Sequence, residues 1–290
     1  MKSTKEFMDT GKHEIGVIGN GFVGGAIVQG FNTFKNVLVY DSNPMKSLHT
    51  LEEVLKCRYV FICLPTPMVS AEGGEANLSI IEEFFSGLSF NKDQVFIIKS
   101  TVPIGTTRRF RDQFNLPNIV HCPEFLTAKN SRIDFICASR NIVGGEKPYS
   151  QMVQKLFEER FPGTPVYMTT SDESEMIKYS SNCFFATKII FFNEIKMLCD
   201  SMGMDWDKVL QGVISDGRIG QSHYDVPGHD GEYGFGGTCF PKDINAMIKT
   251  MEAEGLSPDL LKAVWEKNKV IRSDWDWKRS SSAVSSLEQE

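Results

Sequence analysis

The sequence lacks the marks of several protein classes. No apolar run reaches the roughly 18 residues that a membrane span requires. The opening stretch, MKSTKEFMDTGKHE, has no apolar core of a signal peptide. There is no CxxC pair, and the seven cysteines (Cys57, Cys63, Cys122, Cys137, Cys183, Cys199 and Cys239) are scattered and odd in number. That speaks against a disulfide framework and for a reducing, cytoplasmic compartment. No basic block occurs, and Lys+Arg 31 against Asp+Glu 37 leaves a net charge of −6. Neither nucleic acid nor an anionic membrane is therefore an expected partner. His13, His49, His121, His223 and His229 show no ligand spacing, so no metal site is expected. There is no internal repeat, and low complexity is confined to the Ser-rich stretch Ser280–Ser286. What remains is a 290-residue chain, 41% apolar and 23% charged, with room for one large domain or two modest ones.

The first half alternates short apolar runs with helical patterns. Residues 13–19 (HEIGVIG), 36–41 (NVLVYD), 58–64 (RYVFICL), 94–99 (QVFIIK) and 118–121 read as strands. Residues 21–31 and 77–88 read as helices, the second with Asn77 as N-cap. Strands that are apolar on both faces and separated by helices imply a doubly wound parallel sheet. The runs 141–145 and 165–168 extend it. After Thr170 the texture changes. Residues 171–202 contain neither Gly nor Pro, Thr170 or Ser171 with acidic residues behind it is a helix start, and Gly203 stands where a C-cap belongs. This predicts one helix of about 30 residues. Residues 205–213 and 241–254 read as further helices, and Pro258 opens a last one. The expected architecture is α/β: a Rossmann-like domain over 1–169 and an all-helical domain over 170–290. A single continuous fold bridged by the long helix is the alternative.

Two loops are dense with glycine. Gly19-Asn20-Gly21-Phe22-Val23-Gly24 fits G-x-G-x-x-G, directly after a strand and opening a helix. In that setting the first glycine makes the tight turn, the second admits a pyrophosphate, and the third lets helix pack on strand. The helix N-terminus adds unpaired N–H groups for the phosphates. Asp41 ends the second strand, where a carboxylate accepts ribose hydroxyls and repels a 2′-phosphate, so NAD is favoured over NADP; Lys46 nearby slightly weakens that preference. The second loop is Gly234-Phe235-Gly236-Gly237-Thr238-Cys239-Phe240-Pro241-Lys242-Asp243. Pro241 suits the first turn of a helix, which puts Cys239 at a helix N-terminus, where the dipole favours thiolate. Asp243 is one turn on. Lys178 and Asn182 are i and i+4 on the long helix and share a face. From spacing alone they are equally well a solvated stripe.

Seven stretches, taken in order, resemble the UDP-glucose/GDP-mannose dehydrogenase family. They are GNGFVG (19–24), FICLPTP (61–67), KSTVPIGTT (99–107), PEFL (123–126), EMIKYSSN (175–182), DGRIG (216–220) and GFGGTCFPKD (234–243). The resemblance runs from about residue 13 to 272, and the last motif and the STVP–PEFL pair are its most specific parts. It implies a four-electron oxidation of a sugar C6 alcohol to a carboxylate with two NAD⁺, through a thiohemiacetal and a thioester on Cys239. By the same resemblance Lys178 offsets the negative oxygen of the tetrahedral species and Asn182 orients the reacting oxygen. Asp243, with Thr101, holds or deprotonates water, and Glu124 is a second candidate base. Thr66, Ser100 and Thr101 join Gly19, Gly21, Phe22, Val23, Gly24, Asp41 and Lys46 as cofactor contacts. Glu124, Phe125 and Leu126 fall at the substrate, as do Tyr233, Phe235 and Gly236 in a loop that covers the sugar nucleotide. Arg218 reaches the substrate of a neighbouring subunit, which implies a homodimer built on the helical domain.

UDP-glucose is the first substrate expected and GDP-mannose the second. Two departures stand out. Members usually continue into a second α/β domain that completes nucleotide recognition, whereas this sequence ends at Glu290, so a reduced substrate site is expected. An acidic residue often lies four positions beyond the PEFL glutamate; here it is Ala128, followed by Lys129. The competing expectations are a β-hydroxyacid dehydrogenase, which needs no cysteine, and a non-catalytic NAD- or nucleotide-sugar-binding protein.

Overall fold

The computed structural model describes residues 14–127 and 130–285. The predicted strand start at His13, the Ala128–Lys129 pair and the end of the chain lie outside them. The chain forms two compact units. The first takes in the chain up to Thr66 and then Leu78–Lys178; the second takes in Pro67–Asn77 and the chain from Tyr179. Among the described residues no helix is long and apolar enough to cross a membrane.

The first unit is built on a seven-stranded sheet of β1 (Ile15–Ile18), β2 (Val37–Tyr40), β3 (Tyr59–Ile62), β4 (Val95–Ile98), β5 (Ile119–His121), β6 (Asn141–Gly144) and β7 (Val166–Thr169). The order is β2-β1-β3-β4-β5-β6-β7. Neighbours pair in parallel except at β5–β6, which meet antiparallel at His121 and Gly144. The expected parallel sheet thus holds with one reversed step. Alternate strand residues feed two cores. Ile15, Val17, Phe61, Ile97 and Val120 face one way, with α1 (Phe22–Phe31) and α6 (Tyr149–Arg160) over them. Ile18, Leu38, Val60, Ile62 and Ile98 face the other, under α2 (Leu51–Val54), α3 (Ser79–Ser86) and α4 (Thr106–Phe114). This double burial is why the strands read as continuous apolar runs. Phe31 meets Phe61, Phe157 and Phe161 in one aromatic cluster, joined by Phe135 of the short α5 (Ser131–Ile136). Chain order reverses at β1, between β2 and β3, which makes the carboxyl ends of those strands the switch point at which open α/β sheets bind ligands.

The long helix, α7, spans Ser171–Ser201. Thr170 opens it with a reciprocal cap: its hydroxyl accepts the Glu173 N–H at 3.3 Å, and Glu173 accepts the Thr170 N–H at 2.8 Å. Gly203, at φ 66°, closes it as expected. The second unit continues with α8 (Trp206–Ile214), α9 (Phe240–Ala253) and α10 (Asp259–Ile271). A core of Phe192, Leu210, Ile214 and Val226 joins α7 to α8. The segment Pro67–Asn77 belongs here too. Trp265 and Trp277 donate their indole N–H groups to the Glu72 and Ala71 carbonyls, and Met68 pairs with Val284.

Candidate active site

In the first unit the loop after β1 has the shape its glycines predict. Gly19 sits at φ 91°. A Cβ at Gly24 would collide with the Gly19 carbonyl, so the third glycine brings helix onto strand. Gly21, the N-cap of α1, has nothing within 4 Å of where its Cβ would be, and no side chain caps the helix there. The first amides of α1 thus face open space over bare backbone, which suits the pyrophosphate of NAD. Phe22 is exposed beside that opening, and Val23 packs partly against the core. Asp41 accepts the Asn20 N–H at 2.7 Å and the Asn43 N–H at 2.8 Å. A carboxylate has about four acceptor positions, so two remain for a ribose. Lys46 is exposed; its carbonyl accepts the Asn20 amide at 2.8 Å. Asn20, which no motif singled out, therefore ties the glycine loop to both.

The loops after β3 and β4 are clipped together at the same edge of the sheet. Thr66 donates to the Thr101 carbonyl and Ser100 to the Leu64 carbonyl, each at 2.6 Å. The far end of the second loop is held by Glu175 of α7, fully buried, which accepts the Gly105 and Thr107 amides at 2.6 and 2.8 Å. Lys178 lies one turn further along α7. Its ammonium, 3% exposed, donates to Glu124 at 2.9 Å and stands 5.4 Å from the centre of the Phe125 ring. Arg140 stacks on the same ring at 4.5 Å. Burial pushes the Glu124 carboxyl up, but Lys178, the Leu126 N–H and Lys99 outweigh it and hold it below the usual carboxylate range. Glu124 is thus an ionised, paired group and Lys178 is no solvated stripe. Leu126 packs partly against the sheet core. Lys99, buried against Cys122 and the Pro123 carbonyl, went unnoticed in the sequence because it reads as the last residue of a strand.

In the second unit Cys239 is the N-cap of α9, half-buried, with the Thr238 hydroxyl 3.8 Å from its sulfur. Asp243 lies one turn on, 1% exposed. It accepts the Asn182 amide at 2.5 Å and pairs with Lys242. Asn182 is itself one turn along α7 from Lys178. Of the glycines around Cys239, Gly236 was expected at the substrate, but the space beside it is filled by the protein itself. A Cβ at Gly234 would strike Asn268, and one at Gly236 would strike Arg272 and Asp276; only Gly237 faces open space. Two of the three glycines admit the protein's own side chains, not a ligand. Phe235, expected at the substrate, is 3% exposed, stacks near Trp265, and has both backbone groups bonded to Asn268. It supports the loop from within. Tyr233 is half-buried and packs beside the α7–α8 core. Arg218 is exposed and chelated by Asp216.

Comparison with known proteins identifies the family. Residues 45–161 match the NAD binding domain of the UDP-glucose/GDP-mannose dehydrogenase family, and residues 172–270 match its central domain. The chain is 35% identical over 225 residues to a UDP-glucose 6-dehydrogenase of Rickettsia felis, covering 75% of this chain and 49% of that one. It is 32% identical over 222 residues to a UDP-glucose 6-dehydrogenase of Bacillus subtilis, covering 73% and 46%. It spans about half the length of these curated relatives. Among solved structures, a UDP-glucose dehydrogenase from Pyrobaculum islandicum superposes with a TM-score of 0.78 at 25% identity, covering 94% of this chain and 70% of that one. With both family domains matched in order along its length, the chain belongs to the UDP-glucose/GDP-mannose dehydrogenase family.

Proposed function

We propose that this chain oxidises the C6 alcohol of a nucleotide sugar to the carboxylate, with UDP-glucose the first candidate and GDP-mannose the second. The observation that carries it is the set Cys239–Asp243–Asn182 of the second unit, with Asp243 one turn along α9 from the cysteine and bonded to Asn182 of α7. The names of the Rickettsia and Bacillus relatives favour UDP-glucose. We assign cofactor binding to residues 1–169 and the cysteine chemistry to 170–290.

Gly21, the α1 amides and Asp41 hold the dinucleotide, and the Thr66 and Ser100 loops border it. When bound, the cofactor supplies a hydride acceptor, one molecule for each of the two oxidations. The helix N-terminus stabilises the Cys239 thiolate, which adds to the C6 aldehyde and forms a carbon–sulfur bond. Lys178 places positive charge where the tetrahedral oxygen develops, a contribution of about 2.7–4 kcal/mol for a well-placed donor. After the second oxidation a thioester remains on Cys239, and water cleaves it. Glu124 and Asp243 are the carboxylates on hand to take the water's proton, with Thr101 beside them in role. Asp243 also fixes the Asn182 amide through their hydrogen bond.

We place the reaction in the cytoplasm, supported by the fact that none of the seven cysteines, all among the described residues, forms a disulfide. A homodimer through α7 is supported by Phe184, Phe191 and Leu198. They are spaced seven apart on that helix, so they form one face, and each is more than half exposed. Arg218, whose neighbour Ile219 accepts Lys188 of α7 at its carbonyl at 2.8 Å, is then the candidate to reach the neighbour's substrate. The test of the activity is to mix the chain with NAD⁺ and each nucleotide sugar and count NADH per acid formed. Two NADH per UDP-glucuronate is expected. One NADH, or an aldehyde as the final product, overturns the thioester route.

A further inference from the structure

The loop that presents Cys239 has little of its own to hold it. Three of the five residues before it are glycines, and Gly234 and Gly237 take φ values of 69° and 72°. Its shape is imposed by polar side chains from elsewhere in the second unit. Asn193 accepts the Gly234 N–H at 2.9 Å. Asn268 accepts the Phe235 N–H at 2.7 Å and donates to the Phe235 carbonyl at 3.0 Å. The support nearest the cysteine comes from beyond α10. Asp276, at the start of a 3-10 turn over Asp276–Arg279, accepts the Gly237 N–H with its two oxygens, at 2.9 and 3.1 Å. Asp276 is in turn held by Arg272. The Arg272 side chain is 2% exposed and lies 2.7 Å from Asp230 and 3.3 Å from Asp276, and it donates to the Asp274 carbonyl at 2.7 Å. Gly236 is the point of entry, since any side chain there would collide with both Arg272 and Asp276.

A buried guanidinium between two carboxylates gives little net stability over apolar packing, because its desolvation cancels most of the attraction. What it does well is to specify one arrangement. We propose that Asp276 and Arg272 are positioning residues for the Cys239 thiol: by fixing the Gly237 N–H two residues before it, they hold the sulfur in one place at the mouth of α9. This rests on Cys239 being the nucleophile. Neither residue is required to touch the substrate. With Asp276 gone, the Gly237 N–H loses its acceptor and the glycine-rich loop regains its freedom. The half-buried thiol then becomes more accessible but less well aimed.

The test is alkylation of the full chain with iodoacetamide at pH 7, followed site by site through peptide mass spectrometry. Asp276→Ala is expected to raise the Cys239 rate about tenfold, while buried Cys57, Cys122 and Cys199 stay as slow as in the unaltered chain. Asp276→Asn keeps an oxygen that can accept the Gly237 N–H, so its Cys239 rate is expected to return to within about twofold of the starting value. Asp274→Asn, which touches only the outer pair with Arg279, changes nothing at Cys239. An unaltered or lowered Cys239 rate in Asp276→Ala overturns the proposal. So does a rise at every cysteine in both Asp276 variants, because it makes Asp276 a support of the whole unit. Alkylation needs no turnover, so a chain that makes no NADH yet shows the selective rise loses its proposed activity and keeps its positioning pair.

Discussion

At the scale of single residues, two buried titratable groups, His121 at the end of β5 and Glu175 on α7, make opposite demands on pH. His121 is fully buried, with Nδ1 2.8 Å from the Ser174 hydroxyl. Burial, helped by Lys99 and Lys178, pushes its ring down to about 3 from an ordinary 6.5. The unfolded chain therefore takes up a proton there below 6.5 that the folded chain refuses. Stability from this group is complete above 6.5 and drains away as pH falls. Glu175 runs the other way. Burial pushes it up to about 7, against the pull of the Thr107 and Gly105 amides. The folded chain keeps a proton that the unfolded chain releases near 4.5, so stability is lost as pH rises from about 4.5 to 7. Between those limits the two slopes oppose each other, and single variants separate them. Urea midpoints from pH 5 to 8 are expected to fall more steeply on acidification in Glu175→Gln. In His121→Asn they fall instead as pH rises. Equal pH profiles for both variants would show that neither group carries the coupling.

At the scale of elements, the two glycine loops divide labour between packing and ligand. Gly24 faces the Gly19 carbonyl and Gly21 faces open space. Gly21 has an ordinary φ of −85°, so Ala fits there without backbone strain. Gly21→Ala is expected to unfold at nearly the same temperature as the original and to bind NAD at least tenfold more weakly by calorimetric titration. Gly24→Ala is expected to lose several kcal/mol of stability, on the order of other overpacking changes, before binding is measured at all. The reverse ranking would mean that the open side of the loop is not where the dinucleotide lies. The Cys239 loop teaches the same distinction. Its glycines look alike in sequence, but Gly234 and Gly236 answer to Asn268, Arg272 and Asp276, which lie 30 residues or more downstream and give no local signal.

At the scale of the molecule, the sequence announced what is repetitive and hid what is singular. Strands buried on both faces are continuous apolar runs, and a helix of 31 residues without Gly or Pro is hard to misread. The polar α4, TTRRFRDQF, carried no such run, since only Phe110 and Phe114 face its core. The reversed step at β5–β6 rests on one residue pair and has no signature. Nor does the order of motifs reveal that Pro67–Asn77 folds with the tryptophans of the second unit. Cys239 and Asp243 were legible from their glycine-rich loop and Pro241, whereas Lys178 and Asn182, equally well a solvated stripe by spacing, stood out only through the family motif EMIKYSSN. The supports behind them (Glu175, Asn193, Asn268, Asp276) were not, because ordinary polar residues serve. The exposed face of α7 has its own consequence at this scale. Phe184→Glu with Phe191→Glu is expected to turn a dimer into a monomer in sedimentation velocity while leaving helix content intact. A single unchanged species in both proteins would remove α7 from the interface.

The covalent role of Cys239 is tested most directly by quenching the chain in acid during turnover with NAD⁺ and UDP-glucose and mapping its peptides by mass. The peptide that holds Cys239 is expected to carry the oxidised nucleotide sugar, and to lose it on treatment with hydroxylamine. Acid product accumulating in a Cys239→Ala chain, or an adduct found on any other cysteine, would contradict it.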